Sequence, residues 1–147
     1  MAVVPMVRLD DAEPALDAPR RMRPGDAAAD LPARHDALVP AHGRALVPTG
    51  FAVAIPEGMA GLVLPRSGLA LNHGVTLLNT PGLIDSGYRG ELKVVMHNTT
   101  NEPYQVTRGQ RIAQLLVVGV EALTFDLVDE LPPGPDDRGS AGFGSSG

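Results

Sequence analysis

The residues with the clearest chemical potential lie in one stretch, residues 79–91, which a Pro-Gly pair and a Ser-Gly pair interrupt. These breakers predict a tight β-turn loop. Asn79 offers a carboxamide, Asp85 a carboxylate and Tyr88 an aromatic ring. Such a loop can accept a flat polar ring: backbone groups read its edge, Tyr88 lies against its face, and Asp85 stands near the reacting atom.

A second candidate is the hexapeptide Pro65 to Ala70, which contains Arg66, Ser67 and Gly68 ahead of a predicted helical turn. An arginine and exposed amides at such a turn can bind phosphate. An ordinary helix start with a surface arginine explains the same residues equally well, so the hexapeptide alone leaves both interpretations open.

Two further regions are ambiguous from composition. Asp30 follows an alanine run between two prolines, too short for a stable helix, and is interpreted as a solvated turn residue. The segment from Arg138 to Gly147 has the composition of a Gly/Ser terminus. Arg138 and Phe143 could nevertheless close over a phosphorylated ligand that carries a ring, with glycine-rich amides forming an anion site.

The elements that must position these groups are short apolar runs separated by turns rich in proline and glycine, which predict an all-β sandwich or barrel. In the clearest strand, Leu92, Val94 and Met96 alternate with residues of the opposite face. Gln114 falls inside an apolar strand and needs a polar partner if it is buried. The predicted strands are Val3 to Leu9, His35 to Val39, Arg44 to Val47, Phe51 to Ile55, Met59 to Leu64, Glu91 to His97, Tyr104 to Thr107 and Arg111 to Val118, with last strand signals over Val120 to Val128.

Composition narrows the class of protein. The 147 residues, 44% of them hydrophobic, favour one domain with a real core. The absence of cysteine excludes a disulfide framework and thiolate metal sites. A formal charge of −5 argues against non-specific binding of duplex nucleic acid. Without a recognisable signal peptide or a membrane-length apolar run, we expect a cytoplasmic protein with no membrane partner.

Five segments, in order, resemble the five motifs of the trimeric dUTPase family, the deoxyuridine triphosphate nucleotidohydrolases, and the resemblance covers nearly the whole chain. The third segment is the most specific. The resemblance implies a distorted jelly-roll or β-sandwich core over residues 1–130, with one short helical turn, and a linker with a flexible lid arm over residues 131–147. The five segments are 25–31 (GDAAADL), 65–70 (PRSGLA), 79–91 (NTPGLIDSGYRGE), 109–115 (GQRIAQL) and 138–147 (RGSAGFGSSG).

The resemblance also implies a reaction, the hydrolysis of dUTP to dUMP and pyrophosphate by attack of water on the α-phosphorus. This reaction limits uracil incorporation into DNA and supplies dUMP for dTMP synthesis. Asp85 would orient and deprotonate the water. Asn79 would hydrogen-bond the uracil edge, and Tyr88 would pack under the deoxyribose and leave no room for a 2′-hydroxyl.

The phosphates would be bound by residues of other subunits in a homotrimer with shared active sites. Asp30 would bind Mg²⁺ through water, and the triphosphate itself would chelate the ion, as suits a cation that keeps several waters. Phe143 would stack on the uracil. The implied phosphate-binding residues are Arg66, Ser67 and Gly68 with Gln114 nearby, and, from the last motif, Arg138, Gly144, Ser145 and Ser146.

Two other functions stay open. A dCTP deaminase, or a bifunctional deaminase and dUTPase, has a related jelly-roll core but needs a catalytic glutamate, for which Glu91 is the only nearby candidate, and it usually carries Phe where Tyr88 stands. A non-catalytic nucleotide-binding regulator would keep the fold without turnover. The intact set of Asp30, Arg66, Asp85 and Arg138 counts against the regulator.

Overall fold

The computed structural model describes residues 3–135. Within this range the chain forms ten strands and a single helix, which confirms the all-β prediction. None of its helical structure is long and apolar enough to cross a membrane. The elements are β1 (Met6–Arg8), β2 (Ala29–Pro32), β3 (Ala37–Val39), β4 (Arg44–Val53), β5 (Met59–Leu64), α1 (Ser67–His73), β6 (Val75–Leu77), β7 (Gly82–Ile84), β8 (Glu91–Asn98), β9 (Tyr104–Val106) and β10 (Arg111–Gly119).

The strands form two four-stranded sheets and one two-stranded sheet, and all of the pairs are antiparallel. One large sheet has the order β1-β4-β8-β6, the other has the order β2-β10-β5-β7, and β3 pairs with β9. Neighbours in the sheets are mostly distant in sequence, as expected for a jelly roll rather than a series of hairpins.

A single apolar core lies between the two large sheets. From one sheet Leu92 and Met96 of β8 are fully buried, and from the other Leu31 of β2 and Ile112 of β10 are buried against them. Each such side chain contributes roughly 1.5–3 kcal/mol when it leaves water. The alternation predicted for β8 is confirmed, because its buried residues follow every second position.

Strand β4 runs unbroken through Pro48-Thr49-Gly50, where the sequence predicted a turn between two strands. The register with β8 shifts between Pro48 and Ala52, and Gly50 has a φ of +80°. A bulge tolerates a proline and a left-handed glycine that a regular central strand would not. Thr49 is fully buried there, and its hydroxyl donates to the carbonyl of Leu92 at 2.8 Å.

Two other local predictions were wrong. Asp30 lies in strand β2, not in a solvated turn, because β2 is held by pairing with β10. Within the described residues, no strand follows Gly119, although the sequence carries strand signals over Val120 to Val128. All residues from 120 to 135 are exposed, and Phe125 and Leu127 are almost fully accessible in the described part of the chain.

Candidate active site

The stretch 79–91 forms a hairpin-like connection between the two large sheets. Its strand β7 pairs with β5, and its far end becomes strand β8. Between them the amide of Tyr88 donates to the carbonyl of Asp85 at 3.1 Å, which closes the turn. Asp85, Tyr88 and Asn79 are all exposed on this one segment. The structure therefore presents the predicted carboxylate, ring and carboxamide on a single connection.

The Tyr88 ring is fixed by a close approach of the backbone. Its hydroxyl donates to the carbonyl of Glu91 at 2.9 Å. A Cβ at Gly90 would lie 2.5 Å from that hydroxyl, so only glycine fits under the ring. The ring is still 41% exposed, which leaves a face accessible to a ligand.

Asn79 lies at the other end of the same connection, against strand β7. It lines a narrow cleft of about 60 Å³ with Gly82, Ile84 and Lys93. The Asn79 amide nitrogen would be 3.5 Å from a Cβ placed at Gly82, so a side chain there would contact the carboxamide. That distance is an ordinary van der Waals contact, so the Asn79 carboxamide lies directly beside the backbone of β7.

A second cluster brings Asp30, Arg66 and Gln114 together. Asp30 and Leu64 both pair with Gln114 across β10, and Arg66 follows directly after β5. Arg66 Nε lies 3.3 Å from Asp30 Oδ1, and Arg66 Nη1 donates to the carbonyl of Arg111 at 2.9 Å. Clefts of about 260 and 280 Å³ lie on either side of Asp30.

Arg111 is a member of this cluster that the sequence interpretation did not single out. Its Nη1 lies 3.1 Å from Asp30 Oδ2, so the carboxylate of Asp30 has a guanidinium on each oxygen. The signal that could have found it was the antiparallel pairing of β2 with β10, which depends on a strand that the sequence did not predict.

Ser67 and Gly68 open helix α1, next to Arg66. Both are exposed, and a Cβ at Gly68 would meet nothing within 4 Å. The helix is capped at its C-terminal end by Gly74 in the left-handed conformation. The sequence prediction of one helical turn here is confirmed, and the turn extends over seven residues.

Asp85 and Arg66 lie toward opposite ends of strand β5, whereas Asn79 lies toward the Arg66 end because Gly82 pairs with Val63. Ile84 pairs with Gly61, so Asp85 lies beyond it near the start of β5, whereas Arg66 follows the end of β5. At roughly 3.3 Å per residue these ends are about 20 Å apart. One chain therefore does not bring Asp85 and Arg66 to the same point.

The predicted residues of the last motif, Arg138, Phe143, Gly144, Ser145 and Ser146, lie outside the described residues. Within residues 3–135 no group of three His, Asp or Glu side chains is arranged to hold a metal ion. Asp85 takes part in no ion pair within that range. Its carboxylate is therefore open to solvent and available to a water molecule.

A family model described as dUTPase matches residues 15–147. The chain belongs to the dUTPase family. The deoxyuridine 5′-triphosphate nucleotidohydrolase of Thermobifida fusca is 48% identical over 142 residues, which are 96% of this chain and 78% of the relative. The family predicted from the five motifs is thus confirmed.

Solved dUTPase structures share the fold. A mutant of the Staphylococcus bacteriophage 80alpha dUTPase with dUpNHpp aligns with a TM-score of 0.89 and 25% identity, covering 100% of this chain and 99% of that one. A mutant dUTPase from phage phi11 of S. aureus, described with a structural Mg(II) ion, aligns with a TM-score of 0.79 and 24% identity, covering 88% and 98%. The jelly-roll prediction is confirmed by this likeness.

Proposed function

We propose that this chain hydrolyses dUTP to dUMP and pyrophosphate, with water attacking the α-phosphorus. The observation that carries the proposal is the connection 79–91, which exposes a carboxylate, an aromatic ring and a carboxamide within a family-matching motif. The relative from Thermobifida fusca bears the name of this activity, and the bacteriophage 80alpha structure is described with a dUTP-like ligand.

Asp85 is the proposed general base. It is an exposed carboxylate without an ion-pair partner in residues 3–135, so it is free to accept a proton from water. In dUMP formation the water oxygen bonds to the α-phosphorus, its proton passes to Asp85, and the bond to the bridging oxygen of pyrophosphate breaks. Positioning and charge neutralisation supply the rest of the rate enhancement.

The selectivity for dUTP is assigned to Asn79 and Tyr88. Asn79 and the backbone of β7 hydrogen-bond the uracil edge, where the donor and acceptor of cytosine would be mismatched. Polar complementarity of this kind rejects the wrong base far better than an apolar pocket. Tyr88 packs against the deoxyribose and excludes a 2′-hydroxyl, and its ring is already fixed by the contact with Glu91.

The phosphates are assigned to Arg66, Ser67 and Gly68, with Gln114 beside them, from a neighbouring subunit. The separation of about 20 Å between Asp85 and Arg66 along β5 supports this division, because a phosphate beside Asp85 cannot also contact Arg66 of the same chain at that span. Arg138, Ser145 and Ser146, with Gly144, bind the γ-phosphate from a third subunit, and Phe143 stacks on the uracil; these five residues rest on the family motif alone.

A homotrimer is part of the proposal. The segment after β10 exposes Leu123, Phe125 and Leu127, of which the last two are almost fully accessible. These side chains alternate with polar residues, as in a strand with one apolar face. Exposed apolar rows of this kind mark protein interfaces, and a second copy of the chain is the proposed partner.

Mg²⁺ is the proposed cofactor, and Asp30 fits it only through water. Both Asp30 oxygens already lie within 3.3 Å of guanidinium groups, so they are poorly placed to replace water on a metal ion. The carboxylate is still partly exposed and can accept hydrogen bonds from metal-bound water. When bound to the triphosphate, the ion would neutralise phosphate charge.

The geometry of Glu91 disfavours the deaminase alternative. Its Oε1 accepts a hydrogen bond from the amide of Gly50 at 2.9 Å and lies 3.3 Å from Arg34 Nη1. A glutamate held in this way has its carboxylate occupied by structural donors. We therefore assign Glu91 no role in attack on a base, and a cytoplasmic enzyme of the nucleotide pool remains our proposal.

Pyrophosphate release from dUTP, dCTP, dTTP and UTP with Mg²⁺ tests the function. Release from dUTP alone is expected, with no ammonia from dCTP. Through this reaction the protein would limit uracil incorporation into DNA and supply dUMP. Ammonia release from dCTP would establish the deaminase, and nucleotide binding without any turnover would establish the regulator; either result overturns the proposal.

A further inference from the structure

We infer that Glu91 and Arg34 form a clamp that positions Tyr88 and thereby sets the discrimination between deoxyribose and ribose. Both are positioning residues, since neither contacts substrate in this account. The inference rests on the proposed function for its catalytic consequence. Its structural basis is a set of contacts at the base of the connection 79–91.

Glu91 is the first residue of β8 and is the point at which the connection joins the sheet. Its side chain is only 14% exposed and points toward the bulge of β4. There it accepts from the Gly50 amide at 2.9 Å and from Arg34 Nη1 at 3.3 Å. A part-buried carboxylate with charged and backbone donors is held more firmly than one in water.

The backbone of the same residue holds the Tyr88 ring. The Tyr88 hydroxyl donates to the Glu91 carbonyl at 2.9 Å, and Gly90 leaves the space for this contact. The position of the ring therefore depends on where the Glu91 backbone lies. The Glu91 backbone pairs with Ala52 of β4, and the Glu91 side chain adds contacts to Gly50 and Arg34. Loss of the carboxylate therefore weakens the attachment of the backbone that positions the ring.

Arg34 joins the clamp to a third part of the chain. Its Nη2 donates to the Leu9 carbonyl at 2.9 Å, and its Nε lies 3.5 Å from Asp10 Oδ1. Its own amide donates to the Pro48 carbonyl at 2.8 Å, which places it beside the same bulge. These three contacts restrain Arg34 independently of Glu91. The Arg34 guanidinium therefore cannot move freely to keep its contact with a displaced glutamate.

Asp10 also binds Arg108, at 2.7 Å, and the Arg108 amide donates to Asp36 Oδ1 at 2.7 Å. Arg108 Nη1 also donates to the carbonyl of Arg34 at 2.6 Å, so Arg108 and Asp10 both contact the clamp. Within residues 3–135 the Asp36 carboxylate hydrogen-bonds only the Arg108 amide and does not reach Arg34, Glu91 or Tyr88. Asp36→Asn therefore provides a matched control, because it removes a carboxylate charge from the same network at a residue that does not contact the clamp.

The test compares E91Q, R34Q, the double variant and D36N in the full-length protein. The readout is the ratio of kcat/KM for dUTP to kcat/KM for UTP. E91Q and R34Q are each expected to lower this ratio about tenfold, since small displacements of positioning groups have effects of that order or larger. The double variant is expected to be no worse than either single variant, and R34K should restore part of the ratio.

A second readout does not depend on turnover. The chain has two tyrosines and no tryptophan, so in Y104F Tyr88 is the single tyrosine, whose emission is excited selectively at wavelengths that phenylalanine does not absorb. In this background, E91Q and R34Q should increase acrylamide quenching of Tyr88, and D36N should not. Melting temperature, measured on every variant, separates loss of folding from loss of position.

An unchanged nucleotide ratio and unchanged quenching in E91Q and R34Q would overturn the clamp. The clamp would also be overturned if D36N lowered the dUTP/UTP ratio of kcat/KM as much as E91Q and R34Q do, because the cause would then be general destabilisation. If E91Q or R34Q failed to fold, the nucleotide ratio and the Tyr88 quenching of R34K, each compared with D36N, would test the clamp instead. If the unaltered protein released no pyrophosphate, the proposed function would fail, whereas Tyr88 quenching would still decide for or against the clamp.

Discussion

Asp30 Oδ1 lies 3.3 Å from Arg66 Nε and forms an ion pair with it, although this buried nitrogen has no hydrogen-bond partner in the described part of the chain. The carboxylate therefore orients the guanidinium that we assign to substrate phosphate. This role of Asp30 is distinct from its proposed water-mediated contact with Mg²⁺, and the two can be separated by experiment.

Asp30→Asn is expected to raise KM for dUTP and to lower the apparent affinity for Mg²⁺, because it removes the charge that both Arg66 and metal-bound water require. Arg111→Gln removes the other guanidinium from Asp30 and should leave the Mg²⁺ dependence intact. Steady-state kinetics across an Mg²⁺ titration measure both. Equal Mg²⁺ curves for the wild type and Asp30→Asn would restrict Asp30 to the orientation of Arg66.

Asp85→Asn is expected to reduce kcat by roughly 10²–10⁴-fold, the range typical for loss of a general base. The amide keeps the shape of the side chain but cannot accept the proton. The variant should still bind dUTP, as measured by calorimetry. Retained turnover would contradict the assignment. Asp126→Asn, at an exposed residue after β10, is a charge-matched control that should keep full activity.

The parts of the fold that could be predicted are those with a local signal. Strand β8 alternates apolar and polar residues over its length, and Ser67 stands at the start of α1, so both elements were found from sequence. Strand β2 has only four residues, with the sequence Ala-Asp-Leu-Pro, and its stability comes from pairing with β10. No local pattern reports such a pairing, and Asp30 was misplaced for this reason.

The candidate site likewise contains some residues that the sequence could group and others that only the folded topology brings together. Asp85, Tyr88 and Asn79 share one short stretch, so the sequence could group them without knowing the fold. Arg111 reaches Asp30 only across a strand pair, and Arg34 reaches Glu91 over 57 residues. Contacts between distant residues depend on the complete topology, which a single sequence does not specify.

Deleting residues 139–147 is expected to lower kcat strongly while leaving the melting temperature nearly unchanged. The reason is that the core and all of the described strands end at Gly119, ahead of this segment, whereas the last motif is assigned to phosphate and uracil. Circular dichroism on heating and pyrophosphate release measure the two effects. A large fall in melting temperature would instead assign these residues to the structure.

The exposed apolar segment after β10 leads to a prediction about the proposed subunit contact. Phe125→Ser combined with Leu127→Ser should shift the protein from the proposed homotrimer to smaller species in light scattering, because both side chains are almost fully exposed in one chain. Asp126→Asn lies between them and is the matched control. A trimer that survives the double change would place the subunit contact elsewhere.

Asp10 predicts how stability depends on pH. The hydrogen bond from Arg108 lowers the pKa of Asp10 below its ordinary value of 3.8; desolvation opposes this shift, and the charges of Arg108 and Arg34 add to it. A carboxyl group with a lowered pKa in the folded state stabilises that state above its unfolded pKa, and the contribution is lost as pH falls through the folded pKa. The free energy of unfolding should therefore fall as the pH decreases below about 4.

Asp10→Asn should lower the free energy of unfolding at pH 7, and its difference from wild type should shrink as the pH falls below 3.8. Urea unfolding at pH 7 and at successive lower values measures this difference. Asp11→Asn is the control, because Asp11 is the exposed neighbour and has no guanidinium partner within residues 3–135. A difference that stays constant with pH would show that Asp10 stabilises the fold through shape and neutral hydrogen bonds rather than through its charge.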